Sequence, residues 1–294
     1  MLRIQRTDRS IIRITGEDSR SFLQGLISND IHRADGQHGL YAALLTPQGK
    51  YLFDFFIIAD GDALLLDCLS ADADALLKKL TMFKLRSKAT LEDISADNSV
   101  YLLFGKGVLD LLDDGKQTKT PDGVLLYADP RLADAGVRAI APREFDPAQL
   151  GGSEASEEDY QRHRIRLGLP EAPLDLEKDK SILLESGFDE LAGVDWKKGC
   201  YMGQELTART KYRGLIKKRL VPVHIDGEAP APGTDISLDG KRVGELRSVS
   251  GDLGMAMLRL QAIDAGQVLS AGAATLTPTP PDWLQLPESS DAKG

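Results

Sequence analysis

The strongest limit on the fold lies past Gly214, where short apolar segments are cut by turn dipeptides at close intervals. Residues 220–225, 235–238, 242–249 and 253–260 have strand character, and Asp226-Gly227, Asp239-Gly240 and Gly251-Asp252 punctuate them. Strands this short, separated by turns this tight, predict an all-β module and within that class a small barrel, placed at residues 215–281. The proline-rich end at 277–281 and the polar residues after Leu286 predict an extended tail over 282–294.

Residues 1–214 read differently, as an α+β core with two intertwined subdomains. A strand at 11–14 precedes Thr15-Gly16-Glu17-Asp18, where Thr15 and Asp18 can form a capping box for a helix running to about Ile27. Residues 40–45 and 51–58 flank Thr46-Pro47-Gln48-Gly49 as a β-hairpin. A strand at 63–68 leads into a helix from Ser70 to about Phe83, and further strands are expected at 89–94, 100–104 and 137–140. A short helix is expected near 108–112. Another, capped by Ser156 with Asp159, carries Tyr160, His163 and Ile165 before Gly168-Leu169-Pro170 stops it. No element is assigned to 171–194, and a connection that long is usually functional or folded against something.

With 294 residues, 42% of them hydrophobic, the chain can bury a real core. Its N-terminus lacks the apolar segment of a signal peptide, and no uninterrupted apolar run reaches membrane-spanning length, so a cytoplasmic protein with no membrane contact is expected. Cys68 and Cys200 form no CxxC and the four histidines no HExxH, which leaves neither a disulfide framework nor a zinc site. The net charge of −9 argues against general nucleic-acid binding.

That charge is uneven. Between Lys197 and Arg219 stand eight cations and the single carboxylate of Glu205, a local +7. Inside this window lies Lys198-Gly199-Cys200-Tyr201-Met202-Gly203-Gln204-Glu205, where lysines precede a cysteine whose reactive form is the thiolate that nearby cations favour. Gly199 and Gly203 can let the backbone approach a ligand or take positive φ. Gln204 and Glu205 can pair with a heterocycle's donor-acceptor edge. The bland alternative is a glycine-rich turn opening a helix at about 203–212 with Cys200 packed. Elsewhere, Asp54 shares a strand face with Leu52 and Phe56, and a carboxylate in such company costs several kcal/mol unless it is paired or hydrogen-bonded. Asp54 therefore needs a partner or a ligand.

The run Lys198-Gly199-Cys200-Tyr201-x-Gly203-Gln204-Glu205-x-x-Ala208-Arg209 resembles the signature of the YgfZ family of folate-binding, iron-sulfur-cluster assembly proteins. Phe22-Leu23-Gln24-Gly25 with Asn29-Asp30, the 46–50 turn, Leu85-Arg86, Asp129-Pro130-Arg131 and the β module extend the resemblance over most of the chain. That family is related to the aminomethyltransferase, or T-protein, of the glycine cleavage system. The relationship implies a folate-binding α+β core with a ferredoxin-like part, a C-terminal β-barrel, and tetrahydrofolate or a derivative as cofactor.

By the same resemblance Asp54 matches an acid that contacts the pterin and Tyr41 a tyrosine that packs on it. Lys198, Gln204, Glu205 and Arg209 are the further expected folate contacts, and Cys200 the reactive group. Departures from T-proteins at Gly49-Lys50, Phe53-Asp54, Arg166 and Cys200-Tyr201-Met202-Gly203 weigh against aminomethyl transfer. The implied function is a tetrahydrofolate-binding factor for assembly, maturation or repair of iron-sulfur proteins, acting with assembly proteins or client enzymes. The alternatives are a folate-dependent one-carbon transferase and an accessory protein for tRNA-modifying iron-sulfur enzymes. One cysteine cannot complete a four-ligand cluster site, so a cluster would have to be shared with a partner.

Overall fold

The computed structural model describes residues 1–263 and 267–286. The chain runs through β1 (Leu2–Gln5), β2 (Arg9–Thr15), α1 (Ser19–Gln24), β3 (Leu40–Leu45), β4 (Tyr51–Asp60), β5 (Ala63–Leu69) and α2 (Ser70–Lys84). There follow β6 (Thr90–Asp93), β7 (Asn98–Phe104), β8 (Thr118–Lys119), β9 (Leu125–Ala128), β10 (Val137–Pro142), β11 (Ser153–Glu154), α3 (Glu157–Arg166) and α4 (Gln204–Tyr212). The last strands are β12 (Lys218–Asp226), β13 (Asp235–Leu238), β14 (Lys241–Ser250), β15 (Leu253–Arg259), β16 (Leu269–Ala271) and β17 (Ala274–Pro278). Two compact units share this chain: one holds Met1–Pro47, Leu52–Ser156 and Leu191–Gln204, the other Gln48–Tyr51, Glu157–Glu190 and the described residues from Glu205 on.

The first unit contains a five-stranded sheet, β3-β4-β5-β2-β6, and a six-stranded sheet, β11-β1-β7-β10-β9-β8. In β3 every residue is buried, and in β4 all but Asp54 and Asp60 are. Such near-continuous apolar runs arise where both faces of a sheet are covered. One face packs Phe53, Phe55 and Ile57 with Leu23 and Ile27 near α1 and with Leu76 and Leu80 of α2. The spacing of Ala73, Leu76 and Leu80 sets the inward stripe of α2, and each fully buried leucine contributes about 1.5–3 kcal/mol. The other face meets β9 and β10 of the second sheet, through the polar contacts described below.

The second unit is built on a closed barrel, β12-β15-β14-β13-β16-β17. Its interior alternates along the strands as expected for a half-buried surface: Val221, Val223 and Ile225 of β12 face Leu246, Ala256, Leu258 and Leu276. Ile165 of α3 packs outside it on Leu220, Met255 and Met257. Arg164, fully buried, binds Asp175 Oδ2 at 2.6 Å and Ser248 at 2.9 Å, fastening part of the 171–194 connection to the barrel. This is why the chain joins the barrel-bearing unit well before residue 214.

Three expectations change. No capping box forms at Thr15, because Thr15 ends β2 and the Asp18 carboxylate accepts from the backbone N–H of Lys88 at 2.7 Å instead. Gly16 makes that approach feasible: its φ is +107°, and a Cβ there would lie 2.1 Å from the Lys88 carbonyl. The helix at 108–112 is a single 3₁₀ turn, Val108–Leu111. The proline-rich end is in part β17, whose pairing with β12 closes the barrel, and Leu284 beyond it is buried while the Trp283 indole donates to Leu167 O at 2.8 Å. The remainder of the expected tail, 287–294, lies outside the described residues.

Candidate functional site

Strand alternation puts Asp54 and Phe56 of β4 on the face away from the apolar core of Phe53 and Phe55. Asp54 is half-buried and its sequence neighbours from Tyr51 to Ala59 are buried. The Tyr41 hydroxyl, from β3, donates to Asp54 Oδ2 at 3.0 Å. The Tyr41 ring is fully enclosed: it stacks on Phe56 with centroids 5.2 Å apart, and the Arg131 guanidinium lies 5.4 Å from its centroid. Burial, reinforced by the neighbouring Asp54 charge, holds the Tyr41 phenol well above its ordinary pKa. Tyr41 is thus a neutral donor that fixes the carboxylate. Its ring offers no surface on which a ligand could pack, which departs from the expected pterin-packing role.

Beneath this pair lies a buried ionic layer. Asp67 of β5, directly opposite Phe56, takes Arg9 Nε at 2.6 Å and Arg138 Nη2 at 2.6 Å. Asp129 binds Arg131 through two bonds, 2.9 and 2.8 Å. Arg138 sits 3.8 Å from the Phe56 centroid and Arg131 4.9 Å. Burial opposes the charge of both carboxylates, yet Arg138 with Arg9, and Arg131 with Arg138, outweigh it and hold the two carboxyls below the ordinary range. Such a layer is costly to break, because removing one partner strands the other's charge in the interior.

The 198–204 loop is tied down on both sides of its cysteine. The Lys198 ammonium donates to the carbonyls of Gln24 (2.8 Å), Ile27 (2.6 Å) and Asn29 (2.8 Å), which follow or end α1 and lack helical partners. It also lies 4.9 Å from the Tyr201 ring centroid. Burial brings its pKa down to about 8 against the pull of Asp30 and Asp195, and all three of its protons are committed to backbone. Met202 N–H donates to Gly25 O at 3.1 Å. Between these anchors Gly199 and Cys200 are exposed. Gly203 has φ +82°; Gly199 has neither positive φ nor any atom within 4 Å of an added Cβ, so no close approach demands it.

Asn29 joins the two regions. Its side-chain amide donates to Tyr41 O at 2.7 Å and Ala192 O at 2.6 Å, while its own carbonyl accepts from Lys198. Gln204 Oε1 accepts from Tyr201 N–H at 3.2 Å and so braces the loop where α4 begins. Glu205 and Arg209 stand exposed on α4. Cys68, fully buried with its thiol pushed up to about 12 by burial, is inert. Among the described residues no group of three or more His, Cys, Asp or Glu side chains is placed to hold a metal ion. Asp67 and its arginines were not singled out from sequence, although a lone carboxylate in Leu64-Leu65-Leu66-Asp67-Cys68-Leu69 carries the same signal as Asp54.

Residues 217–286 match the family described as CAF17, C-terminal beta-barrel domain. The chain is 31% identical over 303 residues to the mitochondrial iron-sulfur cluster assembly factor IBA57 of Mus musculus, covering 94% of this chain and 83% of that protein. Against the Homo sapiens protein of the same name the identity is 30% over 296 residues, with 94% and 83% covered. Among solved structures, the glycine cleavage system aminomethyltransferase T of Bartonella henselae superposes with a TM-score of 0.79 at 14% identity, covering 97% of this chain and 86% of that one. The fold is therefore the aminomethyltransferase-like α+β fold with a closed C-terminal barrel. Both relatives are named mitochondrial, which overturns the expectation of a cytoplasmic protein.

Proposed function

Since the chain belongs to the family of the iron-sulfur cluster assembly factor IBA57, we propose that it serves the assembly, maturation or repair of iron-sulfur proteins, binds tetrahydrofolate at Asp54 and uses Cys200 as its reactive group. The observation that carries the folate part is the half-buried Asp54 carboxylate held by the Tyr41 hydroxyl at 3.0 Å on a strand whose other residues, bar Asp60 at its end, are buried. The donor set fits a reduced pterin, whose amino and ring N–H groups need a fixed acceptor, and a carboxylate is that acceptor. When bound, the folate would supply one-carbon carrying capacity. Tyr41 acts through Asp54 as a positioning residue, and Lys198 holds the loop that presents Cys200.

An exposed thiol between two anchored residues is suited to meet a protein-bound cluster as cargo. As one ligand it loses its proton on binding iron, and assembly proteins or client enzymes supply the rest. Titration calorimetry with tetrahydrofolate tests the cofactor: wild type binds, and Asp54→Asn weakens binding by about tenfold or more, on the order of 1.4 kcal/mol. A wild type that does not bind removes the folate reading alone. Reactivation of a cluster-depleted client enzyme tests the other part; a Cys200→Ala protein with undiminished maturation activity removes Cys200 from the chemistry.

A further inference from the structure

In the barrel-bearing unit, where β12 starts and β15 ends, lies a cavity of about 70 Å³ lined by Lys218, Arg242, Gly244, Glu245, Arg247 and Arg259. Two features of the fold turn positive charge into it. The antiparallel register sets Lys218 directly opposite Arg259, and like charges so placed repel. Neither forms an ion pair among the described residues; Glu185 is the carboxylate that senses Lys218.

The register of β14 against β15 slips between Leu246 and Ser248, which makes Arg247 the bulged residue, and bulges re-aim side chains. Arg247 Nη1 reaches Glu177 and, at 3.1 Å, Glu245 Oε1, but its Nε is buried with no hydrogen-bond partner. An unsatisfied guanidinium N–H is uncommon, though Arg219 Nε shares that state, and the Arg247 side chain lines the cavity with donor capacity its carboxylate partners do not use up.

Arg242 is compensated, by Asp235 at 2.6 Å and Glu245 Oε2 at 3.0 Å. Glu245 thus spends both oxygens on guanidinium groups and fixes their places. A cavity of this size has room for a small oxyanion. Guanidinium groups recognise oxyanions through parallel N–H donors. We propose that this end of the barrel is a subsite for a small oxyanion, the phosphate or carboxylate group of a ligand, held by Arg247, Arg259 and Lys218. It stands independently of the folate reading.

The test is the melting temperature of the intact protein against inorganic phosphate and, separately, sodium acetate, with chloride keeping ionic strength constant. A ligand that binds the folded state raises the melting temperature along a saturating curve. Saturation by phosphate assigns a phosphate source and saturation by acetate a carboxylate source. Arg259→Gln and Lys218→Gln, both at exposed positions, are each expected to weaken the saturating response about tenfold, and Arg247→Gln to abolish it. Absence of saturation with both anions overturns the proposal. So does an unchanged curve in the Arg259→Gln, Lys218→Gln double variant, whatever the folding of Arg247→Gln.

Discussion

Replacing Lys198 by Met keeps the apolar stem and deletes the ammonium that serves three carbonyls at 2.6–2.8 Å. Hydrogen bonds to a charged group contribute about 1.5–3 kcal/mol each. Three of them overstate the total, because the variant is also relieved of holding an ammonium out of water, a penalty of several kcal/mol. The net loss expected is about 2–4 kcal/mol, with the carbonyls after α1 left without their donor. Urea titration at pH 7 reads the global part. Amide exchange at Met202, whose N–H is bonded to Gly25 O, reads the local part and should accelerate. A loss below about 0.5 kcal/mol, the scatter of surface substitutions, with unchanged exchange at Met202 refutes the anchoring role. The pH dependence supplies a second check. The folded pKa is about 8 and the ordinary value 10.5, so between them the unfolded chain binds more protons and this lysine's contribution to stability rises with pH. The advantage of wild type over Lys198→Met should widen across that window; a narrowing would show that the carbonyls, not burial, govern the group.

Asp67→Asn leaves Arg9 without its carboxylate and Arg138 with only Asp129, 3.5 Å away, and should cost about 3–5 kcal/mol in urea unfolding; a cost under about 1 kcal/mol would show that the layer is wet. Because the Asp67 carboxyl is lowered from its ordinary 3.8, its contribution is present above that pH and is lost as acid passes through the folded value, so acid unfolding of Asp67→Asn should lack that component. Tyr41→Phe keeps the ring between Phe56 and Arg131 and removes only the bond to Asp54, so tetrahydrofolate affinity should fall about tenfold while stability falls by no more than about 1.5 kcal/mol. Unaltered affinity would leave the Tyr41 hydroxyl a structural group.

The barrel was legible because turn dipeptides and two-residue alternation are local signals: the predicted 235–238 segment is β13 to the residue. The closing strand β17 was not, since Thr277 and Pro278 look like tail, and only their pairing with β12 across some fifty intervening residues makes them strand. Helix α1 stopped short of Ile27 for a similar reason. The carbonyl of its last residue, Gln24, and those of Ile27 and Asn29 beyond it are claimed by Lys198, more than 160 residues later, and no window of sequence around α1 contains that lysine. The site divides along the same line. Asp54 announced itself as a carboxylate among aromatic and aliphatic residues, and the structure supplies the partner its burial requires, but the partner's identity was a tertiary fact. Asp67 obeys the same rule on the adjacent strand, directly across from Phe56, so the two carboxylates mark one polar face of a sheet whose other face is apolar. A face of that kind cannot be covered by another apolar layer without stranding charge. The chain covers it with β9, β10 and their loop, which bring Tyr127, Arg131 and Arg138 against Asp67 and Phe56. On this reasoning the arginines are as much a condition of the candidate site as the acid itself, and weakening the Asp67 layer should reach Asp54 through Phe56 and Tyr41 before it reaches the 198–204 loop.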